Sequence, residues 1–143
     1  MTAAPEMVAR VAAAQATLDR FKDAPFALGK NDCARMVAFH LRKLGVAVKL
    51  AKAGSYSSAL GGRRALKRLG FGSLAEAVDA HGLLRIPPAA AAVGDLLELP
   101  AEDSFGALGV ALGNGRVLAY HQDATGAVVV QPLEYVAAWR VLV

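Results

Sequence analysis

Residues 106–122 read GALGVALGNGRVLAYHQ, with the pair Asn114-Gly115 separating two apolar runs. Both turn residues tolerate the positive φ of a tight two-residue reversal, so the stretch predicts a β-hairpin. A lone hairpin is marginal in water and needs further strands to bury a face. VGDLLELP, just upstream, predicts a strand over Leu96–Leu99, and TGAVVVQPL and WRVLV downstream supply two more β-branched or apolar runs bounded by turn residues. The second half of the chain therefore reads as an antiparallel sheet of about four to six strands.

Upstream of residue 83 the hydrophobic period changes. PEMVARVAAAQATLDRFKD sets Val8, Val11, Leu18 and Phe21 at helical spacing, with Pro5 near the start where its missing N–H does no harm. NDCARMVAFHLRKLG repeats the pattern with Cys33, Val37, His40, Leu41 and Leu44, capped by Asn31 or Asp32 and stopped by Gly45. SSALGGRRALKRLG predicts a third helix ending at Gly70 despite its Gly-Gly pair. SLAEAVDAHG predicts a fourth, with Ser73 and Glu76 in capping-box spacing and a stop at Gly82. RIPPAAAAVGD connects the two regimes, its Pro-Pro pair held extended. The expected architecture is α+β, one domain over residues 1–143, with a helical half (1–82) packed on a sheet half (83–143).

Composition narrows the classes. Hydrophobic residues make up 55% of the 143, yet no apolar run approaches the roughly 18 residues of a membrane helix, so no membrane span is expected. MTAAPEMVARVAAAQ carries an acid and no apolar core preceded by Lys or Arg, which argues against a secretory leader and for synthesis in a reducing cytoplasm. Charge is uneven: residues 1–70 hold 13 Lys and Arg against 4 acids, and residues 71–143 hold 3 against 8. Arg63, Arg64, Lys67 and Arg68 would share much of one helix face. The cluster has no interleaved aromatics and no nucleic-acid motif, so it reads as a solvated face or a surface for an acidic protein, and no nucleic acid is expected.

Cys33 is the only cysteine and stands in the first turn of its helix. Unpaired N–H groups there can lower a thiol pKa from about 8.5 into the range of roughly 3.5–7.5. Asp32 beside it acts in the opposite sense, and a lone cysteine is commonly a small buried hydrophobe. Both readings stand on the residues alone. Cys33 and three scattered histidines offer no zinc spacing, and neither metal nor cofactor is expected.

PFALGKNDCARMVAFHL resembles the segment around the nucleophile of NlpC-type cysteine peptidases, and VGDLLEL and GALGVALGNGRVLAYHQ resemble that family's Gly-Asp strand and following hairpin, in the same order. PFALGKNDC, QPL and AAWRV are similar to elements of a small bacteriophage and prophage subfamily. The resemblance spans roughly residues 15–141 and implies a papain-like fold with Cys33 at the nucleophile position. In active members a histidine opens the first hairpin strand and serves as general base, and a polar residue on the next strand orients it. The matching positions here are Ala107 and Ala119, and alanine has no atom to accept a proton. His40 follows Cys33 by seven residues on one helix, about 10.5 Å away and beyond hydrogen-bond reach, so it reads as a core histidine. His81 precedes Gly82 and reads as a helix-end residue. His121, two residues past Ala119 on the same strand face, is the remaining candidate base.

The resemblance thus implies a structural or adaptor protein of a phage tail tip, carried in the virion after synthesis in the host cytoplasm and bound to other tail proteins. The alternative it implies is a peptidoglycan-cleaving endopeptidase in which Cys33 attacks a stem-peptide amide and His121 carries the proton.

Overall fold

The computed structural model describes residues 3–48, 59–101, 107–120 and 125–141. The chain runs α1 (Ala3–Phe21), α2 (Cys33–Lys43), α3 (Ala59–Arg68) and α4 (Leu74–Ala80), then β1 (Leu84–Ile86), a 3-10 turn (Pro88–Ala90), β2 (Leu96–Leu99), β3 (Ala107–Gly113), β4 (Arg116–Ala119), β5 (Val128–Val130) and β6 (Ala137–Arg140). The six strands form one sheet in the order β1-β6-β2-β3-β4-β5, and every pair is antiparallel. The molecule is α+β.

The hairpin forms as its sequence predicts. Asn114 and Gly115 both have positive φ, 56° and 75°, and join β3 to β4. Gly113, at φ 94°, marks a bulge that lets the turn close without splaying the strands. The fourth helix is capped by Ser73, whose hydroxyl accepts from the Glu76 N–H, while the Glu76 carboxylate accepts from the Gly72 N–H at 2.7 Å.

One face of the sheet carries Leu96, Leu108, Val110, Leu118 and Trp139 into a core shared with Phe21, Met36, Val37, Leu41, Leu66 and Val78 of the helices. The opposite face buries Leu97, Ala111, Val117 and Ala138 beneath Ile86, Ala91, Val130 and Tyr135. Strand alternation explains both sets, because neighbouring residues along each strand point to opposite faces. Trp139 is fully buried yet satisfied, its indole N–H donating to Asp79 at 2.8 Å. Asp79 in turn takes both arms of an Arg85 fork, at 2.9 and 2.8 Å.

Two elements depart from the sequence reading. β1 was not predicted within the connector; it has three residues and an exposed face, and its partner β6 lies far along the chain. Helix α1 also presents a different side to the core. Val8 and Val11 are 67% and 49% exposed, whereas Arg10, Ala13, Ala14, Thr17 and Phe21 are buried. The cause is Arg10, which turns inward to a buried carboxylate and sets the rotation of the helix.

Candidate functional site

The turn 25–32 is built to start α2 at a fixed place. Ala27 and Asn31 exchange backbone hydrogen bonds of 2.9 and 2.7 Å, and Gly29 takes φ 79°. Asp32 is the N-cap: one carboxylate oxygen accepts from the Arg35 N–H at 2.9 Å and the other from the Gly29 N–H at 2.7 Å. Its carboxylate closes the turn, and Cys33 follows as the first helical residue.

Cys33 packs against β3. The residue as a whole is half-buried, yet burial is the largest influence on its sulfur and pushes the thiol from 9.0 up to about 11. Backbone hydrogen bonding at Leu108 and Ala34 opposes the rise, and the Asp32 charge adds to it. At neutral pH a thiol with that pKa is ionised in only about one molecule in 10,000. The activation that a helix N-terminus can give is therefore outweighed by desolvation.

The positions that the resemblance assigns to a base and its orienting partner, Ala107 and Ala119, fall on the other side of the sheet by strand alternation. Ala107 opens β3 opposite Leu99, and Leu99 packs in the far-face cluster. Alternation puts Ala107 on that far face and Leu108 on the helix face, where Leu108 and Cys33 share a core. Ala119 ends β4 between Leu118 and Tyr120, both of which belong to the helix-face core. From this part of the sheet Leu108, which has no basic atom, and Tyr120 share the core against which Cys33 packs. Tyr120 was not singled out from sequence. Its hydroxyl lies 2.7 Å from the Ala24 carbonyl and 3.2 Å from that of Phe21, and its ring meets Phe21 and Phe26 edge-on. Burial raises its pKa, so it is a structural tie that holds its proton.

His121 lies outside the described residues. His40 is fully buried, with Nε2 donating to the Gly94 carbonyl at 2.8 Å and Nδ1 3.4 Å from the Thr17 hydroxyl. His81 terminates α4 and donates from Nδ1 to the Ala77 carbonyl at 2.7 Å. Among the described residues no imidazole acts on the Cys33 sulfur, and no group of His, Cys, Asp and Glu could hold a metal ion.

The densest polar constellation surrounds Asp95, which is fully buried. One oxygen accepts from Arg10 and from the Val141 N–H at 3.1 Å; the other accepts from Arg140 Nε and the Ala92 N–H, both at 2.9 Å. Arg10 also donates to the Val93 and Val141 carbonyls, and Arg140 to that of Ala90. A carboxylate with its acceptor sites filled by two guanidiniums and two backbone N–H groups is a structural tie between α1, the start of β2 and the end of β6. A family model described as a domain of unknown function, DUF6950, matches residues 8–141.

The chain belongs to the DUF6950 family. A comparison with curated proteins returns no match. The DUF6950 match takes in both arginines of the Asp95 tie together with Cys33, so the buried network and the helix N-terminus belong to one family unit. Among the described residues of this DUF6950 chain, no helix is long and apolar enough to cross a membrane.

His40 gives the network a pH signature. Burial lowers its pKa below 6.5, with Arg10 acting in the same direction and Gly94, Ala13 and Asp95 opposing. Below pH 6.5 the unfolded chain takes up this proton before the native chain does. Stability contributed by neutral His40 is full above pH 6.5 and declines as pH falls toward the lowered native value. Urea unfolding across this range should show that decline, and His40→Gln should flatten it. An unchanged slope in the variant would assign the proton to another group.

Proposed function

We propose that the chain is a structural or adaptor protein built on a degenerate NlpC-type, papain-like fold, working in a bacteriophage or prophage tail tip. The observation that carries the loss of catalysis is the setting of Cys33. Its thiol is pushed up to about 11, Asp32 is occupied as a helix cap, and Leu108, which shares its core, has no atom to accept a proton. The papain-like part of the reading is supported by chain order, since α2 begins at the cysteine and precedes β2, β3 and β4 of an antiparallel sheet.

The tail assignment is supported by the segments that resemble the phage subfamily, two of which have a structural task here. PFALGKNDC forms the turn that caps α2, and AAWRV forms β6 with its buried Trp139 and the Arg140 arm on Asp95. QPL leads out of β5 to Leu133, which is 100% exposed.

Purified protein should release no stem peptides from peptidoglycan, either as wild type or as Cys33→Ala. The variant should fold with a loss of about 1 kcal/mol, the small end of core substitutions. Release by the wild type that disappears in Cys33→Ala would establish the peptidase instead, and His121→Ala would then ask which group serves as base.

A further inference from the structure

Helix α3 sends Gly62, Ala65 and Leu66 into the protein and leaves Arg63, Arg64, Lys67 and Arg68 exposed. Arg63 and Lys67 are four apart, Arg64 and Lys67 three apart, and Arg64 and Arg68 four apart, so each cation has a like charge beside it on the surface. The helix contains no acid, and among the described residues no carboxylate pairs with Arg63, Arg64 or Lys67. Lys67 and Arg68 in the last turn are favoured by the helix dipole, but Arg63 and Arg64 lie further back and gain little from it. Arg64, Lys67 and Arg68 line an open hollow on this side.

We propose that the exposed face of α3 is a docking surface for an acidic protein segment, whose carboxylates fill this hollow and relieve the repulsion among the arginines and lysine. Charge complementarity selects the partner's sign. A protein is favoured over nucleic acid because α3 carries no aromatic side chain for a base to stack on, and because ten residues of helix span only about 15 Å of a phosphate backbone. The inference deepens the adaptor reading and rests on it for the class of partner.

The test compares two triple variants of the full chain, Arg63→Gln with Arg64→Gln and Lys67→Gln, and Arg20→Gln with Lys22→Gln and Lys30→Gln, which removes the same charge from other exposed sites. Binding of a labelled oligoglutamate peptide and of a single-stranded oligonucleotide of equal charge is read by fluorescence anisotropy. Affinity for oligoglutamate should fall about tenfold in the α3 variant and hold within about twofold in the control, as three exposed ion contacts allow. Equal losses in both variants, tighter binding of the oligonucleotide than of the peptide, or no peptide binding by the wild type would each overturn the surface. Failure of the adaptor reading looks different. Wild-type chain missing from phage particles removes that role, whereas incorporation of the α3 variant at the wild-type level removes only this surface.

Discussion

Asp95→Ala should lower the unfolding free energy by about 3–5 kcal/mol, the cost of breaking a buried ion pair from one side. Removing the carboxylate leaves Arg10, itself 3% exposed, with an uncompensated charge in the core and takes the hydrogen-bond partner from the Ala92 and Val141 N–H groups. The loss reaches three elements together, because Arg10 belongs to α1, Asp95 leads into β2 and Arg140 ends β6. Urea denaturation of wild type and variant measures it directly. Asp79→Ala makes a useful comparison, because it breaks a pair with Arg85 that is exposed on both sides and takes one acceptor from the Trp139 N–H, but leaves no charge buried. A loss from Asp95→Ala no larger than that from Asp79→Ala would mean that the buried network is not what joins the helices to the sheet.

Gly126→Ala should be the other severe change. A methyl group at this position would overlap the Lys22 carbonyl oxygen and crowd the Asp23 nitrogen, which lies 3.2 Å from the added carbon. Backbone atoms cannot rotate aside as a side chain can. The loop before β5 would have to withdraw from the end of α1, breaking the 2.9 Å hydrogen bond from the Ala127 N–H to the Phe21 carbonyl and disturbing Tyr120 beside it. A loss of at least about 3 kcal/mol is expected, at the upper end for overpacking. The urea midpoint should fall accordingly, and a wild-type midpoint would show that the loop can lift off without cost.

The parts of the fold that were legible in sequence are those set by local chemistry. Asn114-Gly115 dictates its own turn whatever surrounds it, Ser73 caps the helix it precedes, and Gly45, Gly70 and Gly82 end helices with positive φ. What was missed depends on distant contacts. β1 exists because β6 pairs with it, and nothing in Leu-Arg-Ile announces a strand. The buried side of α1 was misjudged because an arginine in a helix ordinarily faces water, and only the fold reveals the carboxylate that draws Arg10 inward.

The site shows the same division. Asp32 as a cap and Cys33 at the helix start could be read from their order in the chain. Which β3 side chain faces the sulfur could not, because a shift of one residue reverses the face and the motif match fixed Ala107 rather than Leu108. Neither residue can accept a proton. Asp95 was visible as part of a Gly-Asp strand, but its arginine partners come from opposite ends of the chain.

The central claim is that Cys33 is a protonated thiol with no base among the described residues, and a titration of the thiolate tests it most directly. Because Cys33 is the only cysteine, the difference in ultraviolet absorbance between wild type and Cys33→Ala isolates its thiolate from the tyrosines that ionise in the same range. In the folded protein the midpoint should lie near pH 11, and unfolding in urea should bring it down toward 9.0. Alkylation by a neutral reagent should follow the same curve. A folded-state midpoint within the range of roughly 3.5–7.5 found for activated cysteines would contradict the account and make Cys33 a nucleophile.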